Sequence, residues 1–219
     1  MERGRSRKAR SGCLGRIFGF VLFLIVAAVG VIAAVKYMPS RERADLDALY
    51  AAGGSDRVAL YLNYERQEES GVYVDGQTYL PAAWVDANLN ERFYWDANEE
   101  ILVYALPEEI VKSDETTVDE DGKKILYRDG DAVYLSLALI QKYTDVRLQA
   151  YDGEAQKRVF VENNWDPVTV ADAAWSAKIR LRGGLKSPIV TEIKRGGTVT
   201  VLEQYDNWAR VMTPDGHIG

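Results

Sequence analysis

The chain has 219 residues, enough for one or two domains, and 47% hydrophobic with 27% charged residues excludes a disordered protein. The net charge of −6 hides an asymmetry: residues 1–16 hold Arg3, Arg5, Arg7, Lys8, Arg10 and Arg16 against Glu2, whereas residues 37–219 carry −12. So acidic an outer part argues against binding a phosphate backbone, and hence against nucleic acid as partner.

The first predicted element is "IFGFVLFLIVAAVGVIAAV", Ile17 to Val35, 19 residues without a charge. As a helix it spans about 28 Å, close to the hydrocarbon thickness of a bilayer. Ile17, Phe18, Phe20, Leu22, Phe23, Leu24, Ile25 and Val35 are its membrane-anchoring side chains, and the lipid bilayer is its partner. A cleaved signal peptide shares the basic start, but its apolar run is shorter and ends at a small-residue site. "AAVKYMPSRER" has no clear site of that kind, so a retained anchor is preferred and cleavage stays open. Arg3, Arg5, Arg7, Lys8, Arg10 and Arg16 predict a cytoplasmic tail over 1–16 and a single-pass cell-membrane protein with its C-terminal part outside. The lone Cys13 precedes the apolar run, so it fits no lipoprotein site, and the outer part has no disulfide to rely on.

Residues 36–55 read as a juxtamembrane helix and linker, with "ADLDALYAA" amphipathic and Gly53-Gly54 ending it. "RVALYLNY" then alternates like a strand. Across 56–162 two copies follow, about 72–105 and 125–161. Tyr79-Leu80 fall on Tyr134-Leu135, Trp84-Val85 on Leu139-Ile140 and Arg92-Phe93 on Arg147-Leu148, all at an offset of 55. Each copy reads as a strand ending in Asp-Gly (Asp75-Gly76, Asp129-Gly130), a second strand, a short helix and two more strands. The expected unit is ββαββ, its helix packed on one face of a small antiparallel sheet. Residues shared between copies are turn and core types, which points to a repeated scaffold and not to a repeated active site.

"VYVDGQTYLPAAWVDANLNERFYWDANEEILVY" resembles the copper amine oxidase N-terminal-like, or stalk, domain of bacterial surface proteins. The second copy is similar more loosely: Ser136 replaces the proline, and Ala150-Tyr151 stand at the Trp95 position. Despite the family's name the resemblance implies no copper, and a chain with one histidine cannot build the usual imidazole site. No metal and no cofactor are expected.

Residues 163–177, "NNWDPVTVADAAW" and its flank, read as a linker or a first strand. From 178 to 219 short strands alternate with Gly183-Gly184, Gly196-Gly197, "YDN" and "PDG". "IRLRGGLKSPIVTEIKRGGTVTVLEQYDNWARVMTPDGHIG" resembles the bacterial SH3-like domain, without the closing aromatic-valine strand that the pattern places after Gly219. The fold class expected is therefore α+β: a transmembrane helix, two ββαββ stalk-type repeats and an incomplete all-β SH3-like barrel. In that incomplete barrel "WARVM" is expected to keep an under-paired edge.

The order of anchor, stalk-like repeats and SH3-like region is similar to wall-associated proteins that carry a family 18 glycoside hydrolase domain next. That family's D-x-x-D-x-D-x-E signature does not occur here, and "DETTVDEDG" has the wrong spacing. No catalytic residue is assigned. His217 lacks a nucleophile or second histidine nearby in sequence, and Asp119-Glu120-Asp121-Gly122 lacks the spacing of a calcium loop. Trp175, Tyr205 and Trp208 are the candidate ligand-binding side chains, since a ring beside a groove stacks on a sugar or peptide. Trp208 also stands at the SH3-like core position, where burial is the competing role. The expected function is a non-catalytic, membrane-tethered module outside the cytoplasm, with stalk units holding the barrel away from the bilayer to contact wall glycan or peptide and to present a downstream domain. The alternative is the front of a family 18-like glycosidase whose catalytic domain lies beyond residue 219.

Overall fold

The computed structural model describes residues 12–153, 155–165 and 167–219, with side chains from residue 17 onward. Arg3, Arg5, Arg7, Lys8, Arg10, Arg16 and Cys13, on which the expected topology rests, lie outside the described side chains. The chain is α+β, one N-terminal apolar helix followed by strands gathered into sheets.

Helix α1 (Gly12–Tyr37) contains the uncharged run, is long and apolar enough to cross a membrane, and buries none of that span against the rest of the protein. Ile17, Phe18, Phe20, Leu22, Phe23, Leu24, Ile25 and Val35 are all exposed. Its final carbonyls need partners. Ala34 accepts from the Met38 amide at 2.7 Å, and Val35 accepts from the Lys186 ammonium at 2.6 Å. After an extended stretch, Asp45 caps α2 (Leu46–Tyr50) by accepting from the Asp47 and Ala48 amides at 3.0 and 3.1 Å.

The central part runs β1 (Arg57–Leu62), β2 (Glu65–Val74), β3 (Gln77–Pro81), α3 (Ala82–Asn88), β4 (Phe93–Asp96), β5 (Ile101–Ala105), β6 (Ile110–Ser113), β7 (Leu126–Asp129), β8 (Ala132–Ser136), α4 (Leu137–Tyr143), β9 (Arg147–Tyr151) and β10 (Arg158–Glu162). Strand–strand–helix–strand–strand thus occurs twice, but the two runs do not each build their own sheet. One seven-stranded sheet has the order β7-β8-β3-β2-β1-β10-β9, and β4-β5-β6 form a separate sheet. The physical reason is β1. "RVALYL" is buried at its four inner positions, so it takes the lane between β2 and β10, antiparallel to the first and parallel to the second.

The two hairpins meet at β3 and β8, where Tyr79, Leu80 and Pro81 pair with Ser136, Leu135 and Tyr134. This register is symmetric about Leu80–Leu135, residues that the offset of 55 places on one another. The turns keep the same offset. The first uses Asp75-Gly76, with φ of 50° and 78°, the type I′ pattern. The second uses Gly130-Asp131, because Asp129 already pairs with Ala132, and Gly130 alone has positive φ, 61°, as a type II′ turn requires. The helices start differently: Ser136 caps α4 by accepting from the Leu139 amide at 3.2 Å, whereas Pro81 pre-sets φ at −57° before α3.

Alternation in β1 and β10 sends side chains into two cores. Val58, Leu60, Val159 and Val161 face α3, α4 and the β4-β5-β6 sheet, packing with Leu80, Trp84, Val85, Leu135 and Ile140. Ala59, Tyr61 and Phe160 face the other way, toward Tyr50, Val190 and Met212. Each of these fully buried Leu, Ile, Val or Phe side chains is worth about 1.5–3 kcal/mol.

The second core is closed by the C-terminal strands β11 (Thr169–Asp172), β12 (Ala177–Arg180), β13 (Ile189–Ile193), β14 (Thr198–Gln204) and β15 (Ala209–Met212), arranged as β11-β14-β15 and β12-β13. The 163–177 stretch therefore supplies a strand. The C-terminal strands are not set apart from the end of α1. Residues 40–44 run beside β13, with the Ile189 amide donating to Glu42 O at 2.8 Å, the Ala44 amide to Ile189 O at 2.8 Å and the Ser40 amide to Leu185 O at 2.7 Å. The C-terminal strands sit at the exit of α1 because that extended stretch satisfies the open edge of β13. The edge expected to be under-paired is also half closed. Val211 and Gly219 exchange hydrogen bonds at 2.9 and 3.1 Å, and the Thr213 amide donates to His217 O at 2.9 Å.

Arg158, fully buried, ties the two parts together. Its Nε donates to Gly216 O at 3.0 Å, its guanidinium also to Gln156 O at 2.8 Å and to Asp215 O, and it stands 4.8 Å from the Tyr50 ring and 5.1 Å from Tyr151. Gly216 has φ of 73°, and a Cβ there would stand 2.6 Å from Tyr151, so the turn that receives the guanidinium requires glycine. Asp215 shares this corner, its carboxylate accepting from Thr213 Oγ1 and contacting His217 Nδ1 at 2.8 Å. Burial pushes the Asp215 carboxyl up, but the Thr213 and His217 hydrogen bonds outweigh it and hold the group below the usual range. Arg158→Ala is expected to cost about 3–5 kcal/mol, read from denaturation of the full chain in detergent, because two turn carbonyls lose their donor. The stability owed to Asp215 is present above its unfolded pKa of about 3.9 and is lost as pH falls through the lowered folded value. Asp215→Asn should therefore flatten the acid limb of a stability-against-pH curve.

Candidate binding cleft

Between the β1–β2 hairpin, β12 and β15 lies a cleft of about 740 Å³. Three structural pieces build it. β12 and the loop after it bring Lys178, Arg180 and Arg182. The β14–β15 turn brings Tyr205 and Trp208, and β15 brings Arg210. The β1–β2 turn brings Tyr64, with Arg66 beside it.

That turn departs from the sequence expectation. Asn63 and Tyr64 are not strand residues but the two central residues of a tight hairpin, with φ of 48° and 68°. A tyrosine at positive φ costs about 1 kcal/mol or more relative to glycine. What offsets it is the ring, which packs toward Phe160 at 6.2 Å. Burial, then a hydrogen bond with Glu162, pushes the Tyr64 hydroxyl well above its ordinary value. The strained turn thus holds a neutral phenol at the cleft wall.

Trp208 is not buried, the role expected for it from the resemblance to SH3-like domains. It is 40% exposed, with one part of its ring over the Gly183 backbone, where a Cβ would stand 3.4 Å from Cγ. Tyr205 is 55% exposed on the same rim. Its hydroxyl donates to Glu203, whose other oxygen accepts from Arg210 at 2.7 Å. The Tyr205 hydrogen bond first, and Arg210 second, hold the Glu203 carboxyl below its usual range; the same bond raises the Tyr205 hydroxyl. Trp175 does not line the cleft and is 77% exposed elsewhere on the C-terminal layer. The structure brings Tyr205 and Trp208 together and leaves Trp175 apart.

The cations differ in availability. Arg66 donates to Leu49 O, Ala51 O and Tyr61 Oη, and Arg180 to Ser187 O and Ser40 O. Arg210 is paired with Glu65 at 3.0 Å and with Glu203. Among the described residues Lys178 and Arg182 have no side-chain partner, so they are the charges left for a ligand. Sequence reasoning missed them, although "KIRLR" carries the signal: a cation at every second position. His217 lies outside the cleft, half-buried and edge-on to Tyr50 at 5.5 Å. Among the described residues no group of three or more His, Cys, Asp or Glu could hold a metal ion.

No protein family, no curated protein and no solved structure matches the chain. What the cleft does chemically follows from its own side chains: an aromatic rim for stacking, two open cations for an anionic group, and a neutral phenol in the wall. Glu203→Gln is expected to return the Tyr205 pKa toward its ordinary value near 10, read by NMR titration of ¹³C-labelled tyrosine.

Proposed function

We propose that this chain is a non-catalytic module tethered to the cell membrane by α1, lying outside the cytoplasm, and that its cleft binds an anionic cell-envelope polymer, wall glycan or its peptide. The observation that carries the reading is the pairing of the Trp208–Tyr205 rim with the open cations Lys178 and Arg182, in a C-terminal segment, 178–219, whose charges sum to +3 although residues 37–219 together carry −12. Rings stack on sugar or peptide faces, and cations meet the carboxylates or phosphates of such polymers. The length of α1 and its basic tail support the tether and the orientation. The resemblance of 72–105 and 125–161 to stalk domains, and of 178–219 to SH3-like domains, supports an envelope setting.

The test is co-sedimentation of the full chain, in mild detergent, with purified cell wall. The wild-type chain is expected to sediment with the wall, and Trp208→Ala and Arg182→Glu each to weaken it by about tenfold, as the loss of one stacking or charge-assisted contact does. Folding of each variant is checked by its circular dichroism. A wild-type chain that stays in the supernatant at low salt sinks the proposal.

A further inference from the structure

We propose that the groove between the exit of α1 and the 181–187 loop seats an anionic phospholipid headgroup of the leaflet from which the helix emerges. This rests on the reading of α1 as a membrane span. The groove is distinct from the cleft, sharing only Lys178, Arg180 and Trp208 with it, and has a volume of about 510 Å³. Met38, Pro39 and Leu185 supply apolar wall, Arg41 and Lys178 supply charge, and Trp208 supplies a ring.

Its depth follows from one bond. Lys186 donates to the carbonyl of Val35, the last residue of the uncharged run. Val35 lies two residues inside the end of α1, about 3 Å along the axis. If Ile17–Val35 fills the hydrocarbon layer, the loop carrying Lys186 stands where hydrocarbon gives way to headgroups. The side chains around it suit that level. Met38 and Leu185 are 59% and 48% exposed and have no apolar cover in water, but they would be covered at a lipid interface. Tyr37 and Trp208 are the amphipathic rings that settle at this depth.

The charges agree. Arg41 and Lys178 line the groove as open cations, and Lys36 and Lys186 stand at the exit itself, Lys186 already engaged by the Val35 carbonyl. Arg43 is excluded from this count by its pairing with Glu192 at 3.4 Å, and Arg180 by its bonds to Ser187 and Ser40 carbonyls. A cationic, partly apolar groove at headgroup height matches a lipid phosphate with its acyl chain. Each open cation near an anionic surface changes occupancy by about fivefold.

The experiment places a spin label on the full chain, in a Cys13→Ser background, at Leu185→Cys, with Val26→Cys in α1 and Ile110→Cys on β6 as references. The probe is vesicles of zwitterionic lipid, with or without anionic phosphatidylglycerol, and the readout is oxygen against water-soluble nickel relaxation. Expected is a Leu185 label shielded from nickel in anionic vesicles, with Arg41→Glu/Lys178→Glu raising its nickel accessibility about tenfold. A Leu185 label as wet as Ile110 while Val26 is deep overturns the groove proposal and leaves the anchor standing. A label equally shielded with and without anionic lipid overturns the choice of an anionic headgroup. A Val26 label as wet as Ile110 overturns both readings.

Discussion

A guanidinium without access to water holds this fold together. Arg158 leaves the start of β10, one strand in from the edge of the seven-stranded sheet, and ends on the carbonyls of the Asp215–Gly216 turn, between the rings of Tyr50 and Tyr151. Desolvating a cation is costly, so the arrangement persists only because every face of the group is used: carbonyls in its plane and aromatic faces above it. The consequence is directional. An apolar contact would let the C-terminal layer slide on the sheet, whereas a planar donor aimed at two adjacent carbonyls fixes one position. Gly216, which brings those carbonyls close, and Tyr50, which binds Ile218 at 2.8 Å, are further parts of the same fastening.

From that fastening the rest of the layout follows. β1 and β10 lie side by side, and each sends alternate residues into different cores, so the sheet has no solvent face where they run. One core closes over α3 and α4, the other over α2 and the C-terminal strands. The candidate cleft is the seam where that second layer fails to meet the β1–β2 hairpin. Its walls therefore come from distant parts of the chain, and its shape depends on the Arg158 corner although no atom of Arg158 lines it.

Parts of this were legible in the sequence. The uncharged run marks α1, and the offset of 55 marks the matching hairpins down to the symmetric Leu80–Leu135 pair, because turn chemistry and alternation are local. The offset was in fact a better guide than the Asp-Gly dipeptides, since the second turn falls on Gly130-Asp131. What was not legible is non-local. Nothing in "KRVFV" shows that its arginine is fully buried, because its partners lie 57 and 58 positions away. The lane taken by β1 depends on which edges remain open after the hairpins form. Asn63-Tyr64 looked like strand because its turn chemistry is strained, and strain is decided by what the ring gains at the cleft. Trp208 looked like core because that is its place in the resembling family, yet here its face is left open above Gly183.

The extended stretch after α1 has a mechanical meaning. Ser40 is bonded to Leu185 and, through Arg180, to Ser187, while Gly219 packs against Arg180 and is paired with Val211. Pull on Lys36 against Gly219, and the load crosses only this thin layer of strands. The seven-stranded sheet, with most of the buried apolar side chains, would lie outside the load path. Force applied between these two points would therefore meet residues 40–44 before it meets the seven-stranded sheet.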